Sequence, residues 1–259
     1  MRLINMPSQK VADYFKKNDL VLFSAGSLEI HGYHNPVGVD SLIPERIFEL
    51  IEKKSDVLIA PTLPYGAADG HLGFPGTISL GPEVLYMVIS KIVESLHMAG
   101  ARRFLFINGH GGNSGAFDRV CLDWHKKGVL SAYVDWWTLL PELNPEWKCG
   151  HGCAFETSAV MYIDPSLVDL SKVKEMELKN DLGDELPSVF LRTVKFKGVN
   201  MPITRPTISM TDNGWFGGEQ NHPKNANAKF GEEILTAVAD YLVDFIEVFK
   251  HAKLPTDHS

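Results

Sequence analysis

Ser24-Ala25-Gly26-Ser27-Leu28-Glu29-Ile30-His31-Gly32, followed by Val37-Gly38-Val39-Asp40, is the stretch on which the reading of this chain turns. Before it, Leu20-Val21-Leu22-Phe23 is a short apolar run with the length of a buried strand. Small residues then take over, as they do where a strand ends and a ligand comes close. Glu29 and His31 are two apart, so an extended backbone puts both side chains on one face. Asp40 precedes the helical pattern Leu42, Ile43, Ile47, Leu50 and Ile51. Two carboxylates and an imidazole on one loop suit a divalent metal. A surface Glu, a hydrogen-bonded His and a helix-capping Asp fit the same letters. Both readings are open on this stretch alone.

The same grammar recurs downstream. Val57-Leu58-Ile59-Ala60 is a second apolar strand, leading into the glycine-rich loop Tyr65–Thr77 that carries His71. Loops of that length in a compact domain are usually functional. A long helix follows, with Val84, Leu85, Val88, Ile92, Val93 and Leu96 at helical spacing, closed near Gly100. Phe104-Leu105-Phe106-Ile107 is a third strand, ending at once in Asn108-Gly109-His110-Gly111-Gly112-Asn113. A helix over 114–127 and a strand over 131–136 come next. Strand alternating with helix predicts an α/β fold: a mainly parallel sheet sandwiched between helices. Ligands of such sheets bind at the carboxyl ends of the strands. Glu29, His31, His71 and His110 all follow strand ends and are expected to converge.

The remainder reads more simply. Residues 8–18 form a short amphipathic helix, and 136–150 a tryptophan- and proline-rich connection. His151 through Glu156 leads into a helix, 170–198 is a polar surface excursion, and 207–222 is a Gly- and Asn-rich active-site or interface loop. An amphipathic helix from Gly231 to Phe249 turns Ile234, Val238, Leu242, Phe245 and Ile246 inward. No repeat or linker divides the 259 residues, so one domain over 1–259 is expected. A 44% hydrophobic, 22% charged composition is that of a soluble globular protein. The net charge of −7 argues against nucleic acid as a partner. No stretch approaches a membrane span or signal peptide, and Cys121, Cys149 and Cys153 match no zinc-finger spacing. The expectation is a cytoplasmic protein with reduced thiols.

Taken together, four stretches resemble the creatininase (creatinine amidohydrolase) family. They are Gly26–Gly32 with Gly38-Val39-Asp40, Phe74–Leu80, Asn108–Asn113, and His151 through Glu156-Thr157-Ser158. They span about residues 20–165, with a weaker echo over 214–232. The resemblance implies an α/β/α sandwich with two divalent metal ions (Zn, Mn or Fe). It implies that Glu29 and His110 hold one ion, His31 the other, and Asp40 both. It implies His151 as a catalytic acid/base, Trp147 as a substrate cover with Trp136 or Trp137 as a second, and a homo-oligomer, a hexamer. Aromatic- and asparagine-rich loops around 136–147 and 213–222, which a monomer would leave exposed, add to the oligomer expectation. The activity implied is hydrolysis of C–N bonds in small, often cyclic, amides. Gly111 and Gly112 stand where creatininases carry larger side chains, one of them an acidic ligand two residues after the histidine. Gly150 stands where an acidic residue is implied before His151. These replacements read as vacated space. Glu156 is the candidate substitute ligand and a catalytic residue beside His151, with a loop brace as its alternative. Gly111 and His71 are set against a small-molecule substrate other than creatinine, with a loop-bracing hydrogen bond the alternative for His71. Two further classes stay open: a ring-opening C–C hydrolase of a cyclic diketone or inosose, and a non-catalytic metal-binding protein of the same fold.

Overall fold

The computed structural model describes residues 1–256. The first helix, α1 (Ser8–Phe15), leads into β1 (Leu20–Ala25), α2 (Val39–Glu52), β2 (Leu58–Ile59) and α3 (Gly81–Ala99). Then come β3 (Arg103–Asn108), α4 (Ser114–His125), β4 (Leu130–Asp135), α5 (Trp136–Leu143) and α6 (Ala154–Ile163). A separate hairpin group, β5 (Ser188–Phe190), β6 (Thr193–Phe196) and β7 (Val199–Pro202), precedes α7 (Thr207–Met210) and α8 (Ala228–Phe249).

The main sheet runs β2-β1-β3-β4 and every pairing is parallel. Its two central strands are buried at every residue, which is why they read as continuous apolar runs rather than as an alternation. Successive side chains still go to opposite layers. Leu20, Leu22, Leu105 and Ile107 pack with α2, α6 and α8, while Val21, Phe23, Phe104 and Phe106 pack with α3 and α4. The expected helix-covered parallel sheet is therefore present. Asn227 caps α8 by accepting from the Phe230 amide at 2.9 Å, so the helix begins three residues before the expected Gly231.

Two expectations change. Residues 136–143 are helical, because Trp136 and Leu140, one turn apart, both enter the core. The polar stretch 170–198 is mostly exposed, as expected, and contains the antiparallel pair β5–β6. The aromatic side chains expected to be exposed for an interface are inside: Trp136, Trp215 and Phe216 are at most 2% exposed. An exposed aromatic patch therefore no longer argues for an oligomer. Among the described residues no helix is long and apolar enough to cross a membrane.

Candidate metal centre and active site

β1 and β3 are in register, with Ala25 opposite Asn108, so the loops that leave them begin side by side. One carries Glu29 and His31, the other His110. Asp40 sits in the first turn of α2, and Glu156 in the first turn of α6. All five side chains are buried, at 8% exposure or less. Their donor atoms form two overlapping groups, Glu29–Asp40–His110 and His31–Asp40–Glu156, with every donor within 4.8 Å of the others in its group. Asp40 belongs to both. Glu29, His31 and His151 make a third such group.

The hydrogen bonds orient the rings. His110 Nε2–H donates to the Ala67 carbonyl at 3.1 Å, His31 Nδ1–H to the Glu29 carbonyl at 3.2 Å, and His151 Nε2–H to the Ile30 carbonyl at 2.8 Å. Each ring thereby turns its other nitrogen inward. His110 Nδ1 faces Glu29 Oε2 at 3.0 Å and Asp40 Oδ2 at 3.2 Å, and His31 Nε2 faces Asp40 Oδ1 at 2.9 Å. Lone pairs thus converge on lone pairs, which is unfavourable unless a positive charge lies among them. Glu29 Oε1, His31 Nε2 and Asp40 Oδ2 are buried without a hydrogen bond, the close approaches being misaligned for one. This donor set fits divalent cations.

The charge balance agrees. Burial disfavours a charge on His31, but Asp40 and Glu156 outweigh it and push its pKa up to about 10. His110 rises well above its usual value against burial, through Glu29 and Asp40. Burial would raise Glu29, yet His110 and His71 hold it well below the carboxylate range. Burial pushes Glu156 well up, only partly offset by His31. His151 moves the other way, well below its usual value, because it is buried and stands beside His31 and His71. It is a neutral imidazole, with Nδ1 4.0 Å from Glu29 Oε1, and burial lowers its stacked neighbour His71 as well.

A cavity of about 340 Å³ opens over Glu29, Asp40 and His110 and is bordered by His71, His151 and Glu156. His71 stacks on His151 with ring centres 5.1 Å apart and points Nε2 at Glu29 Oε1 from 3.7 Å. Gly111 is on the wall, where a Cβ would meet only Trp137 at 3.8 Å. That vacancy is real. The ones expected at Gly112 and Gly150 are not. A Cβ on Gly112 would lie 2.1 Å from the Ala67 carbonyl oxygen and 2.6 Å from His110 Nε2, and one on Gly150 would lie 2.2 Å from the Phe216 oxygen. Backbone has moved into the room those side chains would take. Trp147 is not on the wall; it packs edge-on against Phe230, ring centres 6.2 Å apart, and Trp137 lines the cavity instead.

Several supporting residues hold the site together; Asn113 stands out in the sequence as a residue to hold the loop turn or bind a partner subunit, whereas Ser27 and the β5–β6 turn do not. Ser27 donates to Glu29 Oε2 at 3.1 Å. Asn113 accepts from the Ala67 amide at 2.8 Å and donates to the Ala25 and Gly26 carbonyls, locking the glycine loop to the end of β1. Phe190, Leu191 and Arg192, at the β5–β6 turn, form one side of the cavity. No local pattern marks a hairpin lying between the His151–Ser158 motif and the 214–232 echo as a wall of the site.

The comparisons with known proteins point the same way. The family model described as creatininase, creatinine amidohydrolase, matches residues 5–246. The chain belongs to the creatininase family. Relatives include the mycofactocin precursor peptide peptidase of Mycobacterium tuberculosis, 36% identical over 231 residues, covering 85% of this chain and 81% of that one. The creatinine amidohydrolase of Pseudomonas putida is 31% identical over 176 residues, covering 60% of this chain and 68% of that one. A solved zinc–zinc form of a creatininase mutant superposes with a TM-score of 0.73 at 26% identity, covering 96% of this chain and 98% of that one. The creatininase fold is thus shared along nearly the whole chain.

Proposed function

We propose that this creatininase-family chain is a dinuclear-metal-dependent amidohydrolase of a small polar amide. The observation that carries the reading is the pair of buried donor groups sharing Asp40. Glu29, Asp40 and His110 would hold one cation and His31, Asp40 and Glu156 the other, with zinc or manganese suited to such nitrogen and oxygen donors. Two such cations supply Lewis acidity, acidifying water and polarising a carbonyl. His151 takes and returns the proton at Nδ1, its Nε2–H being committed to the Ile30 carbonyl. Its depressed pKa keeps it neutral and able to accept. His71, Gly111 and Trp137, which line the cavity, would border the substrate.

The peptidase relative, matched over most of both chains, favours testing linear peptide amides beside cyclic ones. The test is a hydrolysis screen of both classes, creatinine included, with zinc- or manganese-loaded protein. Creatinine is expected to turn over far below a typical enzyme's ~10 s⁻¹, because Gly111 and Gly112 offer none of the polar side chains that creatininases are expected to carry there. Hydrolysis of no amide by fully metal-loaded protein would reject the reading.

A further inference from the structure

Arg192 is the arginine that nothing in the chain accounts for. Among the described residues, every other arginine side chain makes a hydrogen bond or an ion pair: Arg2, Arg46, Arg103, Arg119 and Arg205 with carboxylates, and Arg102 with backbone carbonyls. The Arg192 guanidinium makes neither. It lines the cavity of the metal centre all the same.

Its backbone is held there at a cost. Leu191 and Arg192 form the two-residue turn between Phe190 and its partner Thr193, and Arg192 takes φ 54°, a left-handed conformation uncommon for a residue with a Cβ. Strain of that kind persists where the surroundings impose it and collects at functional sites. The surroundings are visible. Phe190 packs edge-on against Phe216, ring centres 5.9 Å apart, and Phe216 exchanges both backbone hydrogen bonds with His151. The Arg192 carbonyl accepts from the Ile203 amide at 2.8 Å. The hairpin tip is thus docked on the layer that carries His151. The guanidinium rests over Gly70, where a Cβ would come within 2.8 Å of Nη2, and Gly70 directly precedes His71.

We propose that Arg192 anchors the substrate through a carboxylate group, so that the cavity takes an amide carrying a free carboxylate away from the bond that is cut. The proposal rests on the hydrolase reading for its chemistry but not for its binding. A guanidinium is a planar fork that matches a carboxylate with two parallel hydrogen bonds. Among the described residues no lysine or second arginine lines the cavity, and a single fork suits a monoanion better than a phosphate dianion. Gly70 leaves the fork its space, and the cavity of about 340 Å³ leaves room for the body of the substrate.

The experiment compares binding of N-benzoylglycine with its neutral counterpart N-benzoylglycinamide to zinc-loaded protein by calorimetry. The wild type is expected to prefer the acid by about tenfold to a hundredfold, the range for a charge-assisted pair. Arg192→Gln should bring the two within about twofold, and Arg192→Lys should keep part of the preference. Melting curves matching the wild type confirm that each variant is folded, as expected at an exposed turn. Equal binding of the two probes by the wild type overturns the proposal. So does an acid preference that survives in Arg192→Gln, which would put the carboxylate on the metals instead. Failure of the hydrolysis screen with the acid preference intact would reject the amidohydrolase reading and leave the anchor standing.

Discussion

Restoring a side chain at Gly112 tests whether the second cation has changed ligands or merely lost one. A Cβ there would lie 2.1 Å from the Ala67 oxygen, more than 1 Å inside the 3.4 Å at which ordinary contact begins. The carbonyl cannot retreat cheaply, because the Ala67 amide is tied to buried Asn113 at 2.8 Å. His110 is the other neighbour, at 2.6 Å, and it gives way only by breaking its Nε2–H bond to Ala67. Overpacking of this kind costs about 1–3 kcal/mol. The broken buried bond adds about 1–3 kcal/mol. Gly112→Ala is therefore expected to lose roughly 2–6 kcal/mol, a Tm drop of about 4–24 °C at this chain length. The turned His110 ring no longer aims Nδ1 at Glu29 and Asp40, so affinity for one cation should fall by about 10–100-fold, as for lost supporting hydrogen bonds. Gly112→Glu should do no better, because its Cβ meets the same wall. Gly111→Ala, whose Cβ would make only ordinary contact with Trp137 at 3.8 Å, should stay within about 0.5 kcal/mol of the wild type. Calorimetric melting and elemental analysis read both effects. A Gly112→Glu protein that melts with the wild type and holds two cations as tightly would refute the packing argument.

Asp40→Ala should lose both cations, since its carboxylate belongs to both donor groups; two metals per chain in that variant would end the shared-ligand assignment. His151→Ala should keep its metal and lose turnover by roughly 10²–10⁴-fold, whereas loss of metal would move His151 among the ligands, where the Glu29–His31–His151 group would put it. In the metal-free protein His31, with its pKa near 10, carries a proton at neutral pH that a cation must displace. Metal affinity should therefore fall by about tenfold per pH unit of acidification for each proton released, and calorimetry in buffers of different ionisation enthalpy counts those protons. Light scattering should find a homohexamer, as the family resemblance implies, and a stable monomer at micromolar concentration would reject it.

Much of this protein was written in local pattern. Apolar runs over 20–23, 57–60 and 104–107 mark strands because a strand buried on both faces needs apolar residues on both, and the helices between them repeat at helical spacing. The small residues and ligand-type side chains just after those runs point to one end of the sheet, because parallel strands all end on the same side. Tertiary structure decided how those side chains are shared out. Which cation Glu156 can serve depends on α6 packing its first turn against His31, 125 positions away in the chain. Whether a glycine is a vacancy depends on what fills the space beside it: open at Gly111, backbone at Gly112 and Gly150. Trp147 and Trp137 are alike as letters, and only packing puts one against Phe230 and the other on the cavity wall. The Leu191–Arg192 turn looks like any polar connection until Phe190 docks on Phe216 and carries it over the site. Each of these depends on close contact between segments remote in the chain, and composition and periodicity record only what neighbours in the chain require.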